Sequence, residues 1–356
     1  MNHLFEINDR RIGPQEPVYI VAEMSANHNH NFEQAVRILE AAKEAGADAI
    51  KLQTYTPDTL TIPCEKEYFY LNSDTIWKGS NLYDLYREAY TPWEWQPKLK
   101  AIANDLGLDF FSTAFDATSI DFLEEIDVPI HKIASFEIVD IPLIQKVART
   151  GKPIIISTGM ASLGEIEEAI QAAREEGAHS IALLKCTSAY PAPPEAMNLL
   201  TIPHLAQAFQ VPVGLSDHTM GSAVAVAAVA LGACILEKHL TLSRDLPGPD
   251  SKFSMEPQEF KEMVEAVRTA QKAIGQISYG TGENEAEVRI FRRSLFVIKD
   301  MKAGDRFTPE NVRSIRPGHG LHTRYLDKII GRQASRDIQR GTPLTLELVS
   351  GSPTEE

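Results

Sequence analysis

Short apolar runs rich in β-branched residues alternate along residues 1–275 with longer stretches whose apolar positions recur every three to four residues, a pattern that predicts strands separated by helices. The expected strands are 18–23, 49–54, 109–113, 130–135, 153–158, 180–187, 211–216 and 234–239. Amphipathic helices fall between them, among them 32–45, 93–106, 162–176 and 221–231, with a last one over 257–274. Eight strand-helix units with mostly short connections predict an α/β fold, a closed (β/α)8 TIM barrel. An open doubly wound sheet is the alternative, but no G-x-G-x-x-G follows any strand.

One connection breaks the rhythm. About 37 residues separate the second strand from its helix, and they hold Tyr68, Phe69, Tyr70, Trp77, Tyr83, Tyr86 and Tyr90. So many aromatic residues argue against disorder, and the segment is expected to cover the barrel mouth; packing on the barrel side is the alternative. Beyond residue 275 the pattern changes again. Residues 276–293 are rich in Gly and charge and are read as a linker, and residues 294–356 form a small separate domain carrying an internal repeat. Asp300, Gly304, Thr308 and Val312 recur as Asp337, Gly341, Thr345 and Val349, an offset of 37 residues.

Composition narrows the functional classes. The chain has 356 residues, 43% hydrophobic and 24% charged, as in an ordinary globular protein, and its formal charge of −14 argues against nucleic acid or an anionic membrane as partner. An anionic ligand must therefore be held by a local cationic cluster. Cys64, Cys186 and Cys234 have neither C-x-x-C spacing nor a disulfide framework. Together with a polar N-terminus and the lack of an 18-residue apolar run, this leads to the expectation of a cytoplasmic protein.

In such a barrel the active site forms at the carboxyl ends of the strands, so the chemistry should lie there. Those ends carry Glu23; Lys51 and Gln53; Ser112 and Thr113; Lys132 and Ser135; Ser157 and Thr158; Cys186, Thr187 and Ser188; Ser216 and His218; and His239. His218 and His239 close the last two strands. Neighbouring strands are about 4.8 Å apart, so two such imidazoles can converge on one metal ion, although each could instead satisfy a loop carbonyl. Glu23 would stand beside them when the barrel closes, and a carboxylate with two imidazoles suits a divalent first-row metal that polarises a carbonyl or activates water. Lys51 and Lys132 lie within apolar runs, where a buried ammonium needs an anionic partner. With hydroxyls around them a phosphate is the natural one, unless the lysines snorkel outward. A Schiff-base lysine is the competing mechanism. Cys186 has no base beside it in sequence and reads as a small buried hydrophobe.

Several blocks resemble the signatures of the sialic acid synthase family: Ala22-Glu23-Met24-Ser25-Ala26-Asn27-His28-Asn29, Lys51-Leu52-Gln53-Thr54, Lys132-Ile133-Ala134-Ser135, Ser157-Thr158-Gly159-Met160, Tyr190-Pro191, Gly214-Leu215-Ser216-Asp217-His218, Leu236-Glu237-Lys238-His239 and Pro247-Gly248-Pro249-Asp250. The resemblance runs from about Ile12 to Val349, and Arg316-Pro317-Gly318 resembles that family's C-terminal antifreeze-like (SAF) domain. It implies a barrel transferase that condenses phosphoenolpyruvate with an N-acylated aldose into a nine-carbon 2-keto acid. The implied cofactor is a divalent metal, manganese first, with magnesium or cobalt as alternatives. Ser25-Ala26-Asn27-His28-Asn29 and the block from Lys185 to Glu195 are most similar to the pseudaminic acid branch, whose acceptor is 2,4-diacetamido-2,4,6-trideoxy-L-altrose. The sialic and legionaminic acid branches, the alternatives, typically carry Gly at the position of Ser25 and Asn or another residue at that of Ser188.

Carried onto matching positions, the resemblance implies that Lys51, Thr113, Lys132, Ser135, Ser157 and Ser216 bind phosphoenolpyruvate, with Ser188 a departure from the usual residue. It implies His218 and His239 as metal ligands, with Glu23 positioning or deprotonating water. Gln53, Glu137, Tyr190 and Asp250 would face the sugar, with Phe136 adding apolar surface. Arg316 would reach the sugar from the other subunit of a domain-swapped homodimer.

Overall fold

A computed structural model describes residues 5–72, 76–280, 282 and 285–351. They fall into two compact units, Met1–Gly275 and Gln276–Glu356.

The first unit opens with an antiparallel hairpin, β1 (Phe5–Ile7) and β2 (Arg10–Ile12). The strands β3 (Tyr19–Glu23), β4 (Ala49–Thr54), β5 (Asp109–Ala114), β6 (His131–Ile133), β7 (Ile154–Ser157), β8 (Ile181–Cys186), β9 (Val213–Asp217) and β10 (Ile235–His239) then close into a parallel barrel, β10 pairing back onto β3. This is the (β/α)8 architecture expected from the sequence. Its helices are α1 (Phe32–Glu44), α2 (Pro57–Leu60), α3 (Leu82–Ala89), α4 (Gln96–Asp105), α5 (Ala117–Glu125), α6 (Ile141–Ala148), α7 (Leu163–Glu175), α8 (Thr201–Phe209), α9 (Ala223–Ala230) and α10 (Pro257–Ile274).

Local chemistry explains these elements. Strand β3 is buried along its whole length, as expected of a parallel strand covered on both faces. Helix α1 starts where the Asn31 side chain accepts the Gln34 N–H at 3.1 Å, and it buries Ala35, Ile38, Leu39 and Ala42, one stripe of i, i+3, i+4 and i+7 positions. Helix α7 begins with a Ser162–Glu165 capping box and buries Ile166, Ala169, Ile170 and Ala173. At the amino face Asn8 donates to Asp109 and Arg10 pairs with Asp48, each at 2.6 Å, while Phe5, Ile7 and Ile12 are buried. The hairpin is thereby held at that face, and the carboxyl face is left for chemistry.

The second unit contains the antiparallel pairs β11 (Ser294–Val297) with β12 (Val312–Ile315) and β13 (Gln333–Ala334) with β14 (Val349–Ser350), together with α11 (Leu326–Ile329). Leu295, Val297, Phe307, Val312, Ala334, Leu344 and Val349 lie in its small core. The 37-residue repeat becomes a local two-fold. Met301 and Ile338 exchange N–H···O bonds of 2.8 Å each way, Gly304 N–H donates to Ala334 O, and the equivalent Gly341 N–H donates to Val297 O. Asp337 accepts from Ala303 N–H just as Asp300 accepts from Arg340 N–H. Within the stretch read as a linker, Glu287–Phe291 forms a 3-10 turn, and Ile290 O accepts from Gly318 N–H at 2.7 Å.

Candidate active site

Strand alternation aims one set of side chains at the centre of the carboxyl face. Glu23, Lys51, Gln53, Thr113, Lys132, Ser135, Ser157, Cys186, Tyr190, Ser216, His218, Glu237 and His239 line one inner pocket of about 60 Å³. Both lysines point inward, 4% and 1% exposed, which excludes outward snorkelling.

The two lysines differ in what they meet. Lys51 Nζ lies 2.9 Å from Glu23 Oε2 and 3.6 Å from Glu237 Oε1, and it donates to Thr113 Oγ1 at 3.0 Å. Lys51 thus has anionic partners within the chain itself, Glu23 and Glu237, which the sequence did not show. Burial lowers its pKa, but the two carboxylates outweigh that and raise it. Lys132 Nζ donates to Ser157 Oγ at 2.7 Å and Ile133 O at 2.8 Å, and among the described residues no carboxylate is in ion-pair range. Burial lowers its pKa to about 8, against the attraction of Glu237. The carboxylates share the positive field unequally. Burial and the Glu237 charge raise Glu23 to about 7 despite Lys51, while Lys51, Lys132 and His218 outweigh burial and hold Glu237 low.

The histidines meet edge to face, ring centroids 5.4 Å apart. His218 Nδ1 lies 3.0 Å from Thr187 O. A carbonyl only accepts, so in the neutral ring Nδ1 carries the proton and Nε2 keeps its lone pair. The loop-carbonyl alternative thus holds for one nitrogen of His218 and leaves the other free. His239 Nδ1 is buried without a partner among the described residues, and burial with the His218 charge keeps this ring's pKa well below the ordinary value. Glu23 Oε1 accepts from Gln53 Nε2 at 3.0 Å, and Glu23 Oε2 lies 2.9 Å from Lys51 Nζ. Among the described residues no group of three or more His, Cys, Asp or Glu is arranged to hold a metal. The residues fit an ion bound by two imidazoles with its other positions open.

Above the inner pocket lies a second cavity of about 440 Å³, lined in part by Gln53, Phe136, Glu137, Tyr190, His239 and Asp250. The Tyr190 ring stands 4.4 Å from His218 and 5.3 Å from Trp77 between ring centroids. Burial raises Glu137 to about 7 despite Lys132, and raises Asp250 despite its bond from Ser25 Oγ. The long connection supplies one wall through Leu60, Leu71, Trp77, Leu82, Leu85, Tyr86 and Ala89, and Trp77 Nε1 donates to Pro249 O at 2.9 Å. It covers the mouth, although Tyr68 faces solvent and Tyr90 packs on His30.

Among the residues given a binding or catalytic role from the sequence, two stand apart from both cavities. Ser188 lies outside the lining of the inner pocket, close to where Ser135 meets Gly159. Arg316 is exposed at the end of β12 in the second unit. Two residues of the inner pocket, Glu237 and Cys186, and Ser25 behind the lining were not selected beforehand as chemistry. Glu237 shares its strand face with His239, and that parity was the signal for it. Cys186 approaches His218 Nδ1 at 3.9 Å. Ser25 links Gln53 Nε2, at 3.0 Å, to Asp250.

Fold and site together define a (β/α)8-barrel enzyme with a small cationic pocket beneath a larger apolar-walled cavity. The NeuB family model matches residues 38–279 and the SAF domain model matches residues 292–350, and the chain belongs to the NeuB family. It is similar to the pseudaminic acid synthase of Helicobacter pylori, 44% identical over 95% of this chain and 99% of that one, and to the N,N'-diacetyllegionaminic acid synthase of Legionella pneumophila, 38% identical over 94% and 95%. The crystal structure of the spore coat polysaccharide biosynthesis protein SpsE of Bacillus subtilis covers 99% of this chain and 100% of its own at 34% identity, with a TM-score of 0.66. The protein is a synthase of the transferase type.

Proposed function

We propose that the enzyme is a pseudaminic acid synthase, condensing phosphoenolpyruvate with 2,4-diacetamido-2,4,6-trideoxy-L-altrose to give pseudaminic acid and phosphate. The observation that carries this reading is Lys132, a buried ammonium with hydroxyl and carbonyl partners but, among the described residues, no carboxylate in range, at the floor of a pocket opening into an apolar-walled cavity. The 44% identity to the Helicobacter pylori pseudaminic acid synthase, against 38% to the Legionella legionaminic acid enzyme, favours this acceptor.

Phosphoenolpyruvate binds with its charges toward Lys132 and Lys51, and Thr113, Ser135, Ser157 and Ser216 supply hydroxyl donors. Ser188 adjoins this group through Ser135. The enol carbon attacks the acceptor aldehyde, water adds to C2, and phosphate leaves with the bridging oxygen. Glu23, titrating near neutrality, takes the proton from that water. Gln53, Glu137, Tyr190 and Asp250 orient the acceptor. His218 and His239 would hold a divalent ion, manganese or a similar metal, whose Lewis acidity would polarise the aldehyde oxygen.

We propose further that two chains form a domain-swapped homodimer in which Arg316 of the partner subunit reaches the acceptor, and that the enzyme works in the cytoplasm. Three free cysteines accord with a reducing compartment, and no helix of the described residues is long and apolar enough to cross a membrane. The direct test is incubation with phosphoenolpyruvate, Mn²⁺ and a panel of N-acylated hexoses, followed by mass spectrometry. Product from the diacetamido-trideoxy sugar supports the reading. Product only from N-acetylmannosamine would move the enzyme to the sialic acid branch, and no condensation with any acceptor would overturn it.

A further inference from the structure

Helix α3 spends its apolar face on a void rather than on a core. Leu82, Leu85, Tyr86 and Ala89 stand at i, i+3, i+4 and i+7, the stripe by which an amphipathic helix normally packs on its protein. Yet none of its residues is buried, and all four line the outer cavity. The opposite face carries Asp84, Arg87 and Glu88, with Arg87 paired to Asp84 at 2.7 Å. A helix held this way presents a preformed apolar surface to whatever fills the cavity.

The rest of the lining says what that is. Glu137, Asp250 and Gln53 supply polar groups with Tyr55, Tyr190 and His239, Leu60 and Leu71 extend the apolar wall, and among the described residues neither Lys nor Arg lines the cavity. A phosphorylated acceptor would bring a dianion beside two carboxyl groups, and among the described residues of this wall no Lys or Arg would meet it. A hydroxyl set against Leu82 and Leu85 would lose water and gain no partner. A methyl group loses nothing there. Because the reacting aldehyde must face the inner pocket, the far end of an open-chain sugar lies outward, toward this wall.

We propose that the α3 stripe, Leu82 and Leu85 above all, determines acceptor specificity by selecting a neutral sugar whose far end is a methyl group and rejecting counterparts bearing hydroxyl or phosphate there. The inference rests on the proposed condensation and deepens it. An apolar pocket rejects an added hydroxyl by about 100-fold at most, so a wild-type preference of roughly 10- to 100-fold in kcat/KM is expected for the 6-deoxy over the 6-hydroxy diacetamido sugar, with no turnover of the 6-phosphate.

The test measures kcat/KM for this matched pair in wild type, Leu85→Asn, Leu82→Ser and Glu88→Gln, with calorimetric affinity for phosphoenolpyruvate as the check that the barrel is intact. The two leucine variants should lower the preference at least tenfold while phosphoenolpyruvate binding holds, and Glu88→Gln on the solvent face should leave the preference as it was. A wild type that favours the 6-hydroxy sugar, or leucine variants that bind phosphoenolpyruvate normally and keep the preference within twofold, would overturn the assignment of α3. A wild type that condenses neither sugar would instead take down the proposed reaction, and this inference with it.

Discussion

Replacing Lys132 by Met separates what this ammonium costs the fold from what it does for a ligand. The side chain is buried, donates only to Ser157 Oγ and Ile133 O, and has its pKa lowered from 10.5 to about 8, chiefly by burial. At about 1.4 kcal/mol for each factor of ten, that difference is about 3 kcal/mol against the folded state at pH 7. The folded value lies below the unfolded one, so the unfolded chain binds more protons between pH 8 and 10.5. The penalty is therefore full below about pH 8 and fades as pH rises toward 10.5. Methionine removes it but gives up two hydrogen bonds of about 1 kcal/mol each, so the unliganded variant should be as stable as wild type or more so at pH 7. Phosphoenolpyruvate should then bind 10- to 150-fold more weakly, the loss of about 1.5–3 kcal/mol from a charge-assisted contact. Wild-type affinity should be level below about pH 8 and fall above it as the ammonium deprotonates, whereas the Met variant should show no such break. Calorimetry from pH 7 to about 9.5, with urea unfolding of both proteins, reads every part of this. An unchanged Kd with the same pH profile in both proteins would refute the role given to Lys132.

Further outcomes follow from the same geometry. His239→Ala should abolish calorimetrically detected Mn²⁺ binding together with turnover, and chelator should inactivate wild type reversibly; full activity after exhaustive EDTA treatment would remove the metal from the account. A Cβ at Gly159 would stand 2.5 Å from Ser188 Oγ and 2.6 Å from Ser135 Oγ, so Gly159→Ala must displace both hydroxyls and should raise the phosphoenolpyruvate KM at least several-fold with little change in that of the acceptor. An equal rise in both would point to general damage. Mixing Arg316→Ala with His239→Ala protein should restore activity through subunit exchange, since one site of each mixed dimer then has both groups intact. Inactivity after verified exchange would refute the swapped arrangement.

The barrel was readable because most of its eight strands are largely apolar runs separated by helical patterns, and burial on both faces is what such runs encode. The hairpin Phe5–Ile12 was not, because three-residue strands show no period. Lys51 and Lys132 were visible as charges in apolar runs, but their different needs were not. Lys51 meets Glu23 and Glu237 from the two strands of the β3–β10 seam, a contact no local pattern contains. Glu237 was legible in principle through its parity with His239, while Lys238 between them turns outward into a buried pair with Asp217 at 2.7 Å. Ser188 follows the end of β8, where alternation no longer sets direction. The repeat in the second unit was plain in sequence, and its meaning, the reciprocal bonds of Met301 and Ile338, emerged only in three dimensions.

The central claim is the carbon–carbon condensation with loss of phosphate by C–O cleavage. It is tested most directly by one reaction of phosphoenolpyruvate labelled with ¹⁸O at its bridging oxygen, the diacetamido-trideoxy sugar and Mn²⁺, with both products weighed by mass spectrometry. The account predicts a nine-carbon keto acid free of label beside phosphate carrying one ¹⁸O. Label retained in the keto acid, or released phosphate without any joined product, would contradict it.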